Sequence, residues 1–183
     1  LEEWVFPKLE TTGPKRLQVS RDYRDLVELF ESRTREHGRR VAFRMVRKDD
    51  VADSFTYRDI RRGATAVAEF LKELGVERGD RVMLVSEGRP EWGMSYFGVI
   101  IGGGTVVPVD VELSKKEIAN IAAASGAKGV IASEKQARKL NGGTNGESAP
   151  FPIPVWPIDE VFSQATVVDI SKDLTTVAKR KAE

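Results

Sequence analysis

The sequence predicts an α/β fold: a doubly wound, mostly parallel sheet with helices on both faces, plus a small N-terminal hairpin. Three observations predict it. Val82 to Val85 and Val106 to Val109 are Val-rich apolar runs of strand length, the pattern of strands buried on both faces. Between them, Pro90 to Ile101 is apolar on nearly every side, with Trp92, Met94, Tyr96, Phe97, Val99, Ile100 and Ile101, so it reads as a helix covered on two sides. A helical connection of this length permits parallel pairing. Capped helices then recur after the next strands, which marks repeated strand-helix units.

The central unit is justified residue by residue. Pro90 suits the first turn of a helix, where its missing N–H has no partner to lose. Gly93 and Gly98 leave room for a neighbouring backbone, and Gly102 to Gly104 supply a left-handed stop before the next strand. The helix is far shorter than the roughly 20 apolar residues that cross a bilayer. Trp92 is expected to be a buried anchor.

Before this unit, Asp25 opens a helix with Glu28 at the capping-box offset, Leu26, Leu29 and Phe30 on one face, and Gly38 at its end. Val41 to Arg47 and Ser54 to Tyr57 form a hairpin around Lys48-Asp49-Asp50. Thr56 caps the next helix with Asp59 three residues on. That helix presents Ile60, Ala64, Val67, Leu71 and Leu74 at helical spacing and closes at Gly75. After the unit, Ser114 and Glu117 form a capping box for a helix through Ile118, Ile121 and Ala122 that stops at Gly126. Gly129 to Ala132 is a third parallel strand, and Ser133 with Gln136 opens a short basic helix, Lys135 to Leu140. Asn141 to Pro150 reads as a loop. The prolines at 152, 154 and 157 restrict Phe151 to Pro157 to extended edge structure, and Val161, Phe162 and Val167 to Ile170 offer further burial. The domain reading is an arm over 1–24 anchored by Trp4-Val5-Phe6, an α/β body over 25–170 and a polar tail over 171–183.

Length and composition narrow the function classes. The 183 residues suffice for one domain with a sizeable core. Lys plus Arg number 29 against 28 Asp plus Glu, a net charge of +1, so no global field recruits nucleic acid or an anionic membrane. Lys15 to Lys48 is locally basic, with eleven basic and five acidic residues, but no aromatic residues interleave with its arginines as stacking platforms, and it reads as a solvated face. With no cysteine there is no disulfide framework, thiolate chemistry or Cys-type metal site, which fits a cytoplasmic location. The start, Leu-Glu-Glu-Trp-Val-Phe-Pro, lacks the features of a signal peptide and an initiator Met, so the chain is expected to be a processed product or a piece of something longer.

Open parallel sheets bind ligands beyond the carboxyl ends of their strands. Here those positions are Ser86 to Arg89, Asp110 to Glu112, and Ser133 with Glu134. Glu87 and Arg89 are expected to pair across a solvated turn, and Asp110 and Glu112 to be turn residues before the Ser114 cap. No glycine-rich loop runs from a strand into a helix as phosphate cradles require. His37, the only histidine, sits beside Gly38 at a helix end, where a cation meets the dipole favourably. No Ser-His-Asp arrangement or His-rich metal site can be assembled.

The assembled stretches resemble the N-terminal part of the adenylate-forming ligase superfamily, the acyl-CoA synthetases and their relatives. They are, in order, Phe55-Thr56-Tyr57-Arg58-Asp59-Ile60 with Leu74-Gly75-Val76; Arg78-Gly79-Asp80-Arg81-Val82; Arg89-Pro90-Glu91-Trp92 with Phe97-Gly98; Gly103-Gly104-Thr105-Val106-Val107-Pro108-Val109-Asp110 with Leu113-Ser114-Lys115-Lys116-Glu117-Ile118; and Ser125-Gly126-Ala127-Lys128. The resemblance spans about Leu26 to Ile170 and is strongest to the bacterial long-chain fatty acid CoA ligases. Val111 stands where members commonly carry Pro.

The resemblance implies the N-terminal subdomain of that ligase fold and a parent reaction in two halves: carboxylate plus ATP to acyl-adenylate and pyrophosphate, then thioester formation with CoA. Mg²⁺ and a lysine stabilise the phosphates in such a reaction. The family's phosphate loop, T-S-G-T-T-G-x-P-K-G, its later ATP-site motifs and the lysine of its small C-terminal domain have no counterpart in this sequence. In family members that loop comes shortly after a segment like Ile158 to Glu183. No catalytic, cofactor-binding or metal-ligating residue is therefore assigned, and the substrate-binding residues are left open. The expected cofactors are none for this chain, and ATP, Mg and CoA for the full-length parent. The expected partners are the remainder of the same polypeptide, a small carboxylic acid of the fatty class, and a second copy through the Trp4-Val5-Phe6 arm, with no nucleic acid. The alternative is a stand-alone doubly wound binding or interaction module working through its strand-end loops. The reading frame beyond Glu183 discriminates the two.

Overall fold

A computed structural model describes residues 22–46, 52–142 and 150–165. The N-terminal arm, the Lys48-Asp49-Asp50 turn, most of the 141–150 loop, Val167 to Ile170 and the tail lie outside the described residues. Along the chain come α1 (Leu26–Glu36), β1 (Val41–Val46), β2 (Ala52–Thr56), α2 (Tyr57–Glu73), β3 (Arg81–Val85), α3 (Pro90–Ile101), β4 (Thr105–Pro108), α4 (Lys115–Ser125), β5 (Gly129–Ala132), α5 (Glu134–Leu140), β6 (Val155–Pro157) and α6 (Ile158–Ala165).

β3 is central. It pairs in parallel with β4 on one side and β5 on the other, and β6 pairs in parallel beyond β5, giving the order β4-β3-β5-β6. Successive strand residues point to opposite faces. Val82 and Leu84 accordingly join Ile131 in a core with Val67 and Leu71 of α2, Val99 of α3 and Ile158 and Val161 of α6. Met83 and Val85 face the other way, with Val130 and Ala132, onto Ile118 and Ala122 of α4 and Ala137 and Leu140 of α5. Residues 82 to 85 are all fully buried, so the apolar run has no polar alternation because neither face meets water.

The helix caps form as the sequence predicts. Thr56 Oγ1 accepts the Asp59 backbone N–H at 3.2 Å while the Asp59 carboxylate accepts the Thr56 N–H at 2.8 Å. Ser114 and Glu117 repeat this reciprocal box, and Ser133 Oγ accepts the Gln136 N–H. Asp25 caps α1 through the Glu28 N–H, but the Glu28 carboxylate takes the N–H of Arg24 and so reaches one residue further back than in the standard box.

α2 and α3 approach closely because glycines face each other's side chains. A Cβ on Gly98 of α3 would stand 2.5 Å from Val67 Cβ and 2.9 Å from Ala64 O; one on Gly63 of α2 would stand 2.3 Å from Met94 Sδ. A third apolar cluster surrounds this contact, where Phe30 of α1 stacks on Phe97 of α3 with ring centroids 4.4 Å apart. The antiparallel β1-β2 hairpin forms its own two-stranded sheet and packs Ala42 and Phe55 against that cluster.

Four local expectations change. Tyr57 opens α2 rather than ending β2, because the Thr56 cap claims it for the helix. The stop after α3 is made by Gly103 at φ +87°, Gly102 being right-handed at φ −70°. Trp92 is half-buried and stacks on Tyr96, centroids 5.4 Å apart, so truncating it removes less packing than a core anchor would. Residues 158–165, read only as a source of burial, form α6, whose Ile158 and Val161 close the sheet face beside α2. β6 is the predicted Pro-rich edge, and its Trp156 lies across Gly129, where a Cβ would stand 2.2 Å from the indole.

Gly98→Ala is expected to cost about 1–3 kcal/mol by overpacking Val67 and Ala64, despite the gain of about 1 kcal/mol in helix propensity. Gly88→Ala, where nothing lies within 4 Å, is expected to stay within about 0.5 kcal/mol. Urea unfolding midpoints of the two variants test the close approach; equal midpoints would contradict it.

Candidate functional site

The crevice of an open α/β sheet lies where neighbouring strands send their connections in opposite directions. In the order β4-β3-β5-β6 that point falls between β3 and β5. The loops leaving these two strands begin with Ser86 and Ser133, both buried.

Four polar side chains converge there. The Glu87 carboxylate accepts a 2.9 Å hydrogen bond from Gln136 Nε2, and Lys135 Nζ stands 3.9 Å away. Burial pushes the Glu87 carboxyl up, but hydrogen bonds from Ser133, Gln136 and its own loop backbone, with the Lys135 charge, hold it below the usual carboxylate range. Ser86 Oγ donates to the Glu87 carbonyl at 3.1 Å. Gln136 is 1% exposed, and its Oε1 is one of three buried side-chain atoms without a hydrogen-bond partner among the described residues.

Arg89 is not part of this cluster, and the expected Glu87–Arg89 pair does not form. The Arg89 guanidinium turns away to Glu91, Nε to Oε2 at 2.8 Å, and to Asp159 of α6, Nη2 to Oδ1 at 2.8 Å. Glu91's carboxylate, against the opposing effect of partial burial, and then Asp159 hold Arg89 still more firmly protonated than usual. Two carboxylates offering a fork geometry outcompete one on a tight turn. The clamp ties the start of α3 to the start of α6, elements 70 residues apart.

At the end of β4, Asp110 behaves as the expected turn residue: its Oδ1 accepts the Glu112 N–H at 2.9 Å. Lys139 of α5 reaches this loop and donates to the carbonyls of Val111, at 2.9 Å, and Leu113. Glu134 is exposed and pairs with Arg138 one turn on, and His37 lies at the C-cap of α1 with its ring tilted on Tyr57. The strand-end groups named from sequence thus fall into three separate sets. Asp159 and Lys139 are missing from that reading because their partners are remote in sequence. Gln136 and Lys135 were visible only as a cap and a helix charge.

Chemically, this end of the sheet is saturated. Its carboxylates are engaged by their neighbours, its cations are committed to carboxylates or carbonyls, and no group of three or more His, Cys, Asp or Glu among the described residues could hold a metal ion. No helix among them is long and apolar enough to cross a membrane.

The fold defines a class: it is that of the N-terminal domains of adenylate-forming ligases. The N-terminal domain of FACL13 from Mycobacterium tuberculosis superposes with a TM-score of 0.66 at 22% identity, covering 80% of this chain and 37% of that one. The fatty acyl-adenylate ligase of L. pneumophila, in complex with acyl adenylate and pyrophosphate, superposes at 0.62 and 18% identity over 83% of this chain and 24% of that one. The chain belongs to the AMP-binding enzyme family, which residues 30–174 match. Similar proteins include 4-hydroxybutyrate–CoA ligase 2 of Metallosphaera sedula, 35% identical over 47% of this chain, and the long-chain-fatty-acid–CoA ligase of Salmonella typhimurium, 29% identical over 60% of it. The chain spans 16% and 19% of the length of these two relatives.

The depressed Glu87 carboxyl fixes a pH dependence. A group held below its unfolded value stabilises the fold above that value and loses the contribution as pH falls through the folded one. The stability advantage of wild type over Glu87→Gln should therefore be constant at neutral pH and shrink as pH falls below the ordinary value of 4.5. Urea midpoints at a series of pH values measure it; an advantage that grows in acid would refute the assignment.

Proposed function

We propose that this chain is the N-terminal scaffold subdomain of an ATP-dependent acyl-CoA synthetase and has no adenylating activity by itself. The body of the subdomain is residues 25–170, between an arm over 1–24 and a tail over 171–183. The observation that carries this reading is the family match over residues 30–174 combined with a strand-end surface whose cations are all committed.

The physical reason is electrostatic. Attack of a carboxylate on ATP develops negative charge on the phosphates, which must be met by preorganised donors and cations. Arg89 is neutralised by Glu91 and Asp159, Lys135 stands against Glu87, and Lys139 holds the β4–α4 loop. Freeing any of them would break a bond that positions an element of the fold. In this reading ATP, Mg²⁺ and CoA belong to the full-length parent, and the subdomain's partner is the remainder of the same polypeptide. The similarity to long-chain-fatty-acid–CoA ligases supports a fatty carboxylic acid as the substrate class.

The test is pyrophosphate release over a panel of fatty and aromatic acids with Mg-ATP and CoA. The 183-residue chain is expected to give none. The product of the reading frame extended beyond Glu183 is expected to turn over. Turnover by the short chain would place the chemistry within it, and a folded but silent extended product would favour a binding module.

A further inference from the structure

The near-neutral charge of the whole chain conceals a segregated basic surface. Arg39 and Arg40 follow α1, and the hairpin returns the chain so that the start of α2 lies against them: the Tyr57 N–H donates to the Arg40 carbonyl and the Arg58 N–H to the Gly38 carbonyl, both at 3.0 Å. Arg62 stands one turn beyond Arg58 on α2, and Arg35 occupies the last turn of α1. All five arginines are exposed, and none has an ion pair among the described residues. The nearby acids are already engaged. Glu36 pairs with Arg33 at 3.2 Å, and the Asp59 carboxylate is held by the Thr56 N–H and hydroxyl.

Beside these arginines, two large apolar side chains of β1 face solvent: Val41 is 47% and Phe43 44% exposed. Val41 directly follows Arg40 and is the register partner of Thr56, the N-cap of α2, so apolar and basic groups share one surface.

We propose that this surface docks on an anionic lipid membrane. Unpaired arginines supply attraction to negatively charged headgroups, and Val41 and Phe43 supply apolar side chains that enter the headgroup boundary. Two features favour lipid over nucleic acid. The arginines are not held by neighbouring side chains in the fixed forks that read phosphates and base edges. The rings nearest the patch, His37 and Tyr57, tilt against each other at 5.7 Å and offer no outward stacking platform. The inference is independent of the catalytic reading above.

Sedimentation of the full 183-residue chain with phosphatidylcholine vesicles, with and without phosphatidylglycerol, tests it. Binding is expected only to the anionic vesicles and should fall as salt rises. Each arginine near such a surface is worth about fivefold in partitioning, so the Arg39→Ala/Arg58→Ala pair should lower it roughly 25-fold. The Arg35→Ala/Arg62→Ala pair should lower it similarly, whereas Lys72→Ala with Lys116→Ala, on other surfaces, should leave it unchanged. Circular dichroism of each variant verifies folding. Equal binding to neutral vesicles, no binding, insensitivity to both arginine pairs, or tighter binding to a single-stranded oligonucleotide or to polyglutamate would overturn the proposal.

Discussion

The contact between α2 and α3 sets the spacing of everything on one side of the sheet. At Gly63 and Gly98 the two helices pack backbone against side chain, with no room for a methyl group on either glycine. Val67 and Val99 then reach Val82 and Leu84 from above, and Phe97 meets Phe30 of α1. Interiors are packed at crystal-like density, so a displacement at this contact would be transmitted to the strands beneath. The hairpin depends on it as well, since Phe43 lies 3.4 Å from the position a Cβ would take on Gly93.

The second constraint is that β3 is buried on both faces and paired on both edges. Its side chains can serve only as packing, which leaves the loop after it, Ser86 to Arg89, as the place where polar groups first appear. That loop spends its groups on structure. Glu87 binds α5 through Gln136, Arg89 binds α6 through Asp159, and Ser86 closes the loop on itself. A surface so occupied suits a wall that holds other elements in register, and the subdomain role follows from that commitment of charge.

The same topology produces the basic surface at the opposite side of the hairpin. Sequence-local excess in the first third of the chain is joined by Arg58 and Arg62, while the acids of that region turn inward to caps and ion pairs. Segregation of this kind leaves net charge almost untouched and is invisible to composition.

The strands, the capped helices and the family were determined by the sequence itself, because each rests on local chemistry. Val-rich runs have nowhere to go but a doubly covered sheet, Thr56, Ser114 and Ser133 meet donors three residues away, and the ordered motifs from Phe55 to Lys128 are contiguous strings. Tertiary structure decided what depends on partners distant along the chain. It sent Arg89 to Asp159 instead of Glu87, because two remote carboxylates offer a better geometry than one confined by a tight turn. It made α6 from residues whose short apolar pattern is stabilised as a helix only by the sheet face they cover. It also turned Lys139 from a helix charge into the tether of the β4–α4 loop. Local patterns encode hydrogen bonds within a turn or a helix, whereas the pairing of charges across the fold is settled only when packing has fixed which backbones lie side by side.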